Sequence, residues 1–123
     1  MRILHVVPDN EIGGGHVNVA RLMRVLRTPS AALLPDNATA DVRALFADLP
    51  HVIGGYRGRG GVTPAARAIL AAARPGDVVN AHGTRAALAA LLARQARPRL
   101  PIVQTVRGFH GLATPGRFGL RVR

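Results

Sequence analysis

The stretch RILHVVPDNEIGGGHVNVARLMRVL, residues 2–26, decides the fold. It opens with a short apolar run (2–7) that Pro8 stops, the pattern of a buried strand. Three glycines follow at 13–15. Val19, Leu22, Met23 and Leu26 then recur at i, i+3, i+4 and i+7, the apolar stripe of an amphipathic helix. Strand, glycine turn and helix in that order make a place for an anion, because the unpaired N–H groups of the first helical turn converge there.

The same alternation runs on from this unit. SAALLP (30–35) reads as a second strand. Thr39 caps a helix carrying Val42, Leu45, Phe46 and Leu49, and Pro50 ends it. HVIGG (51–55) reads as a third strand and YRGRGG (56–61) as a flexible loop. Thr63-Pro64 supplies an N-cap followed by proline at the first helical position, opening a helix over 64–74. DVVNA (77–81) is a fourth strand with a His-Gly turn after it. Thr84 caps a helix over 85–96 with Leu88, Leu91 and Leu92 on one face, and IVQTV (102–106) is a fifth strand. Five strands alternating with four helices predict a single α/β domain: a doubly wound, Rossmann-like parallel sheet over 1–112, followed by a basic segment at 113–123 where another helix begins.

Composition narrows the chemistry. The 123 residues suffice for one domain with a core, and 48% are apolar, so the chain folds. Aromatics are 3%, which leaves the core to Ala, Val, Leu and Ile. Without cysteine there is no disulfide, thiolate metal site or cysteine nucleophile. The absence of lysine excludes a P-loop ATPase. Arg2 is followed by too few apolar residues for a signal peptide, and no run spans a membrane, so the expected location is the cytoplasm. All 17 basic residues are arginine and the net charge is +11. Residues 78–123 hold eight arginines and no acid, a positive surface suited to phosphates, nucleic acid or the anionic inner face of a membrane.

In a doubly wound sheet ligands bind at the carboxyl ends of the strands, which draws attention to the turns 9–16, 36–38, 55–62, 82–84 and 107–114. Gly13, Gly14 and Gly15 let a phosphate or sugar hydroxyl approach the backbone; the bland alternative is a tight turn without a ligand. The dinucleotide fingerprint fails, because Asn18 stands where its last glycine is required, although Asp36 lies where a ribose-binding acid would. His82 and Gly83 follow the fourth strand, where a histidine faces the ligand crevice; Arg85 adds charge at that edge or is solvated. Arg107 and His110 fall in a turn loosened by Gly108 and Gly111, and arginine pairs bidentately with phosphate. His5 and His51 sit in strands and read as structural, while His16, at a helix start, meets a ligand or water. No carboxylate neighbours His82 or His110, so no catalytic triad is visible and the catalytic residue stays unassigned.

Three segments together, IGGG with its helix, PGDVVNAHGTRAALAALLA and LPIVQTVRGFHGL, resemble the N-terminal, acceptor-side domain of a family-4 glycosyltransferase of the GT-B type. The resemblance is strongest over 1–27 and 75–111. It implies one of two facing doubly wound domains and a retaining, metal-independent transfer from a nucleotide-sugar to a lipid-linked or saccharide acceptor. No cofactor beyond the donor substrate is implied. Gly13, Gly14 and Gly15 would line the cleft near the donor phosphates and the acceptor, and His82 would contact the transferring sugar or the acceptor. The RGFHG turn would form the wall near the reaction centre. The sequence departs from the family pattern at His16, where an acid is common, at Asn80, where a histidine is common, and at Arg107, where the family has the histidine of T-V-H-G. The resemblance also implies a donor-binding domain of about 100–150 residues, outside this sequence, as a partner. Read without the resemblance, the residues also fit a non-enzymatic basic module for a nucleotide or nucleic acid. The single RGRGG and the scarcity of stacking aromatics weigh against nucleic acid.

Overall fold

A computed structural model describes residues 1–105. Its nine elements alternate along the chain as β1 (Arg2–Val6), α1 (Gly14–Val25), β2 (Ser30–Leu34), α2 (Ala40–Leu45), β3 (His51–Ile53), α3 (Val62–Ala72), β4 (Asp77–His82), α4 (Thr84–Ala96) and β5 (Ile102–Thr105). The strands form one sheet in the order β3-β2-β1-β4-β5, and every pairing is parallel. This is the Rossmann-like, doubly wound arrangement expected from the sequence. The order reverses between β1 and β4, so the crevice at their carboxyl ends is where such a sheet holds its ligand.

Alternation along the strands divides the core in two. Val7, Ala32 and Leu34 face α1 and α2, against Val19, Met23, Val42 and Phe46. Leu4, Val6, Leu33, Val79 and Ala81 face α3 and α4. Phe46, Leu4, Leu33, Leu34 and Ile69 are fully buried. Each such side chain contributes about 1.5–3 kcal/mol relative to exposure.

The leucine face of α4 does not enter the core. Leu88, Leu91 and Leu92 are 51%, 47% and 41% exposed, whereas Ala86, Ala87, Ala89, Ala90 and Ala93 are buried. The opposing positions on α3 are also alanines, Ala65, Ala66 and Ala68. Small side chains on both helices permit an approach that leucine would block, so the alanine stripe wins the buried face.

Two helix starts shift from their expected caps. Gly61 is the N-cap of α3, which places Thr63 and Pro64 second and third in the helix. Proline is tolerated there because first-turn N–H groups lack helical partners anyway. Gly83 is the N-cap of α4, with φ 95°, and Thr84 becomes the first helical residue. That left-handed backbone accounts for glycine at 83.

At the amino end of the sheet, Arg2 and Asp77 close the β1–β4 pair with a 2.6 Å ion pair, and the Arg74 N–H also donates to Asp77 at 2.7 Å. Burial pushes the Asp77 carboxyl upward, but the hydrogen bonds and charges of Arg2 and Arg74 outweigh it and hold the pKa below the usual value. Among the described residues, no helix is long and apolar enough to cross a membrane.

Candidate functional site

A cavity of about 470 Å³ opens at the carboxyl ends of β1 and β4. Its walls are the β1–α1 loop (Val7, Pro8, Asp9, Glu11 and Ile12), the start of α1 (Gly13 to His16), the end of β4 and start of α4 (His82 to Arg85), and Arg59 from the loop after β3. Gly13, Gly14, Gly15, His82 and Gly83, all expected at a site, therefore share one cavity. Arg107, Gly108 and His110 lie outside the described residues. Asp36 is exposed and does not line the cavity.

The triglycine has no reason within the fold to be glycine. Gly13 is extended (φ −159°), a conformation open to any residue. A Cβ added at 13, 14 or 15 meets no atom within 4 Å. All three glycines line the cavity at the start of α1, where the helix's free N–H groups favour an anion.

His82 closes the floor as the last residue of β4 rather than part of a turn. The structural role expected of His5 is specific: its Nδ1 lies 3.0 Å from Nε2 of His82, across the β1–β4 pair. The two rings are tilted 40°, with centroids 5.2 Å apart. Burial pushes the His5 pKa down to about 4, so its ring is neutral near pH 7. A neutral imidazole offers one donor and one acceptor, so this bond orients His82 and couples the tautomers of the two rings. His16 is buried, and its Nε2 pairs with the carbonyl of Asp9 at 2.9 Å, tying α1 to the loop before it. His51 is exposed and pairs with the carbonyl of Leu49.

The loop after β3 is anchored rather than loose. Tyr56 is buried, and its hydroxyl sits 2.7 Å from the Val7 carbonyl and 2.9 Å from that of Leu33. Burial, and secondarily the Asp36 charge, push its phenol upward, so it stays protonated as a donor. The Gly58 N–H donates to Asn37 Oδ1 at 2.6 Å, and a Cβ at Gly58 would strike the backbone of Asn10. Arg85 donates to the Gly60 carbonyl at 3.2 Å. Arg59 thereby stands at the cavity rim, 3.8 Å from Glu11. Sequence reasoning missed Arg59 because RGRGG reads as an unstructured loop. Its one available signal was that this loop follows the carboxyl end of a strand.

The cavity thus combines two arginines, two acids, two histidines, of which His82 is oriented by His5, and a glycine-lined helix start. This defines a doubly wound α/β domain with a cleft at its topological switch point. Comparisons with family models, with curated proteins and with solved structures give no match. A second cavity of about 420 Å³, lined by Arg74, Arg97 and Arg99 among others, lies at the amino ends of β4 and β5.

Proposed function

We propose that this chain is the acceptor-side half of a glycosyltransferase, in which the cleft over β1 and β4 forms one wall of a sugar-transfer site. The observation that carries the reading is the triglycine, whose missing side chains leave room at a helix N-terminus and serve no packing need. Backbone N–H groups of the first turn of α1 would hold phosphate oxygens of a nucleotide-sugar or a phosphorylated acceptor. His82, oriented by His5, would hydrogen-bond a sugar hydroxyl. A donor-binding domain facing this wall would hold the nucleoside end of the nucleotide-sugar, while its diphosphate and sugar rest on this wall beside the acceptor, since transfer requires both in one geometry. The arginines of 78–123 would dock the domain on anionic lipid carrying the acceptor.

Among the described residues no Phe, Tyr or Trp lines the cleft, which weighs against a nucleic-acid module, because single-stranded bases are held by stacking on such rings. Saturation-transfer NMR with UDP-glucose, set beside fluorescence anisotropy with random-sequence RNA, tests the choice. The expected result is saturation of sugar and ribose protons with weak RNA binding. Tight RNA binding with a steep salt dependence, and no saturation of the nucleotide-sugar, would overturn the proposal.

A further inference from the structure

We infer that Arg59 is an anion clamp at the rim of this cleft, held by Glu11 when the cleft is empty and transferred to a phosphate group of the ligand when it is filled. The inference rests on the cleft reading above and adds the residue that selects a phosphorylated ligand.

Three observations converge on it. The first is backbone conformation. Arg59 has φ 65°, and among the described residues it is the single non-glycine residue with positive φ. Glycine occupies 58 and 60 on either side, so a glycine at 59 would remove the strain. A long cationic side chain is retained where the backbone disfavours it, the pattern of strain kept at ligand clamps.

The second is placement. The loop is fixed on both flanks, by Gly58 to Asn37 at 2.6 Å and by Arg85 to Gly60 at 3.2 Å, and Gly60 N–H closes a turn on the Arg57 carbonyl at 2.9 Å. With its backbone held, Arg59 lines the same cavity as the triglycine and His82.

The third is its partner. Arg59 Nη2 and Glu11 Oε1 are 3.8 Å apart, longer than a hydrogen bond, and both side chains are mostly exposed, 70% and 64%. So loose a pair is cheaply broken. A phosphate presents more charge than one carboxylate and accepts two parallel N–H bonds from a guanidinium, so it outcompetes Glu11 for Arg59.

Calorimetry on the full 123-residue chain at low salt tests the clamp with pyrophosphate as probe. Arg59→Gly is expected to raise the thermal midpoint, since the left-handed strain is relieved, and to weaken pyrophosphate binding about tenfold. A change that stabilises the fold while losing the ligand separates a binding role from a structural one. Glu11→Gln is expected to tighten binding several-fold, and that gain should vanish in the Arg59→Gly background. The clamp is overturned if Arg59→Gly binds pyrophosphate like wild type or if the gain from Glu11→Gln persists without Arg59, which marks a general charge effect. It is equally overturned if wild type does not bind millimolar pyrophosphate. UDP-glucose and farnesyl phosphate, run in parallel, distinguish a nucleotide-sugar from a lipid phosphate as the source: the natural class loses more affinity in Arg59→Gly. If pyrophosphate behaves as expected but neither organic ligand binds more tightly than it, the clamp stands and the glycosyltransferase reading fails.

Discussion

Acidification should destabilise this domain through His5, before Asp77 responds. In the folded chain His5 is 2% exposed, and burial lowers its pKa from 6.5 to about 4. Unfolding returns the ring to water and to its ordinary value. Between those two values the unfolded state binds a proton that the folded state refuses, so stability falls as pH falls. The loss begins near pH 6.5 and levels off once folded His5 itself protonates near pH 4. From about pH 7.5 to about pH 4.5 it amounts to roughly 2–3 kcal/mol, a large share of the stability of a small domain. Asp77 does not overlap this window. Its lowered pKa contributes stability above the usual carboxylate value of 3.8, lost only at more acidic pH. Urea denaturation of wild type and His5→Gln across the range measures the effect. Wild type should lose the stated amount, and His5→Gln should lose about 2 kcal/mol less over the same interval. Equal slopes in the two proteins, or a flat wild-type profile, would refute the account of a buried neutral His5.

Two other substitutions probe the packing. Asp77→Ala leaves Arg2 without its carboxylate at the amino end of β1 and β4, and should cost about 3–5 kcal/mol in chemical denaturation. Ala89→Leu should cost about 1–3 kcal/mol by overpacking the α3–α4 contact, while Leu91→Ala should stay within about 0.5 kcal/mol of wild type. Thermal melts of that pair of variants check that α4 packs through alanine and not leucine.

The alternation of periods in the sequence was enough to find all nine elements, although α2 ends at Leu45, short of the Phe46 and Leu49 that its apolar spacing had included. The helical period alone could not choose which face of α4 is buried. Both leucine and alanine repeat there, and the choice depends on the alanines that α3 brings opposite. At the site, Gly13 to Gly15 and His82 were legible because they stand at or just after the carboxyl ends of strands. The His5–His82 bond was not, since 77 residues separate the partners and only the parallel pairing of β1 with β4 brings them together. Arg59 was hidden for a related reason. Its loop is held by Asn37 and Arg85, and neither contact is local in sequence.

The central claim is that the switch-point cleft binds a phosphate-bearing sugar donor or acceptor. Backbone amide shifts of the ¹⁵N-labelled chain during titration with UDP-glucose test it most directly. The account predicts saturable shifts concentrated at Gly13 to His16, Arg59 and His82 to Arg85. Shifts centred instead on Arg74 to Asp77 and Arg97 to Leu100, around the cavity at the opposite end of the sheet, or no saturable shift at all, would contradict it.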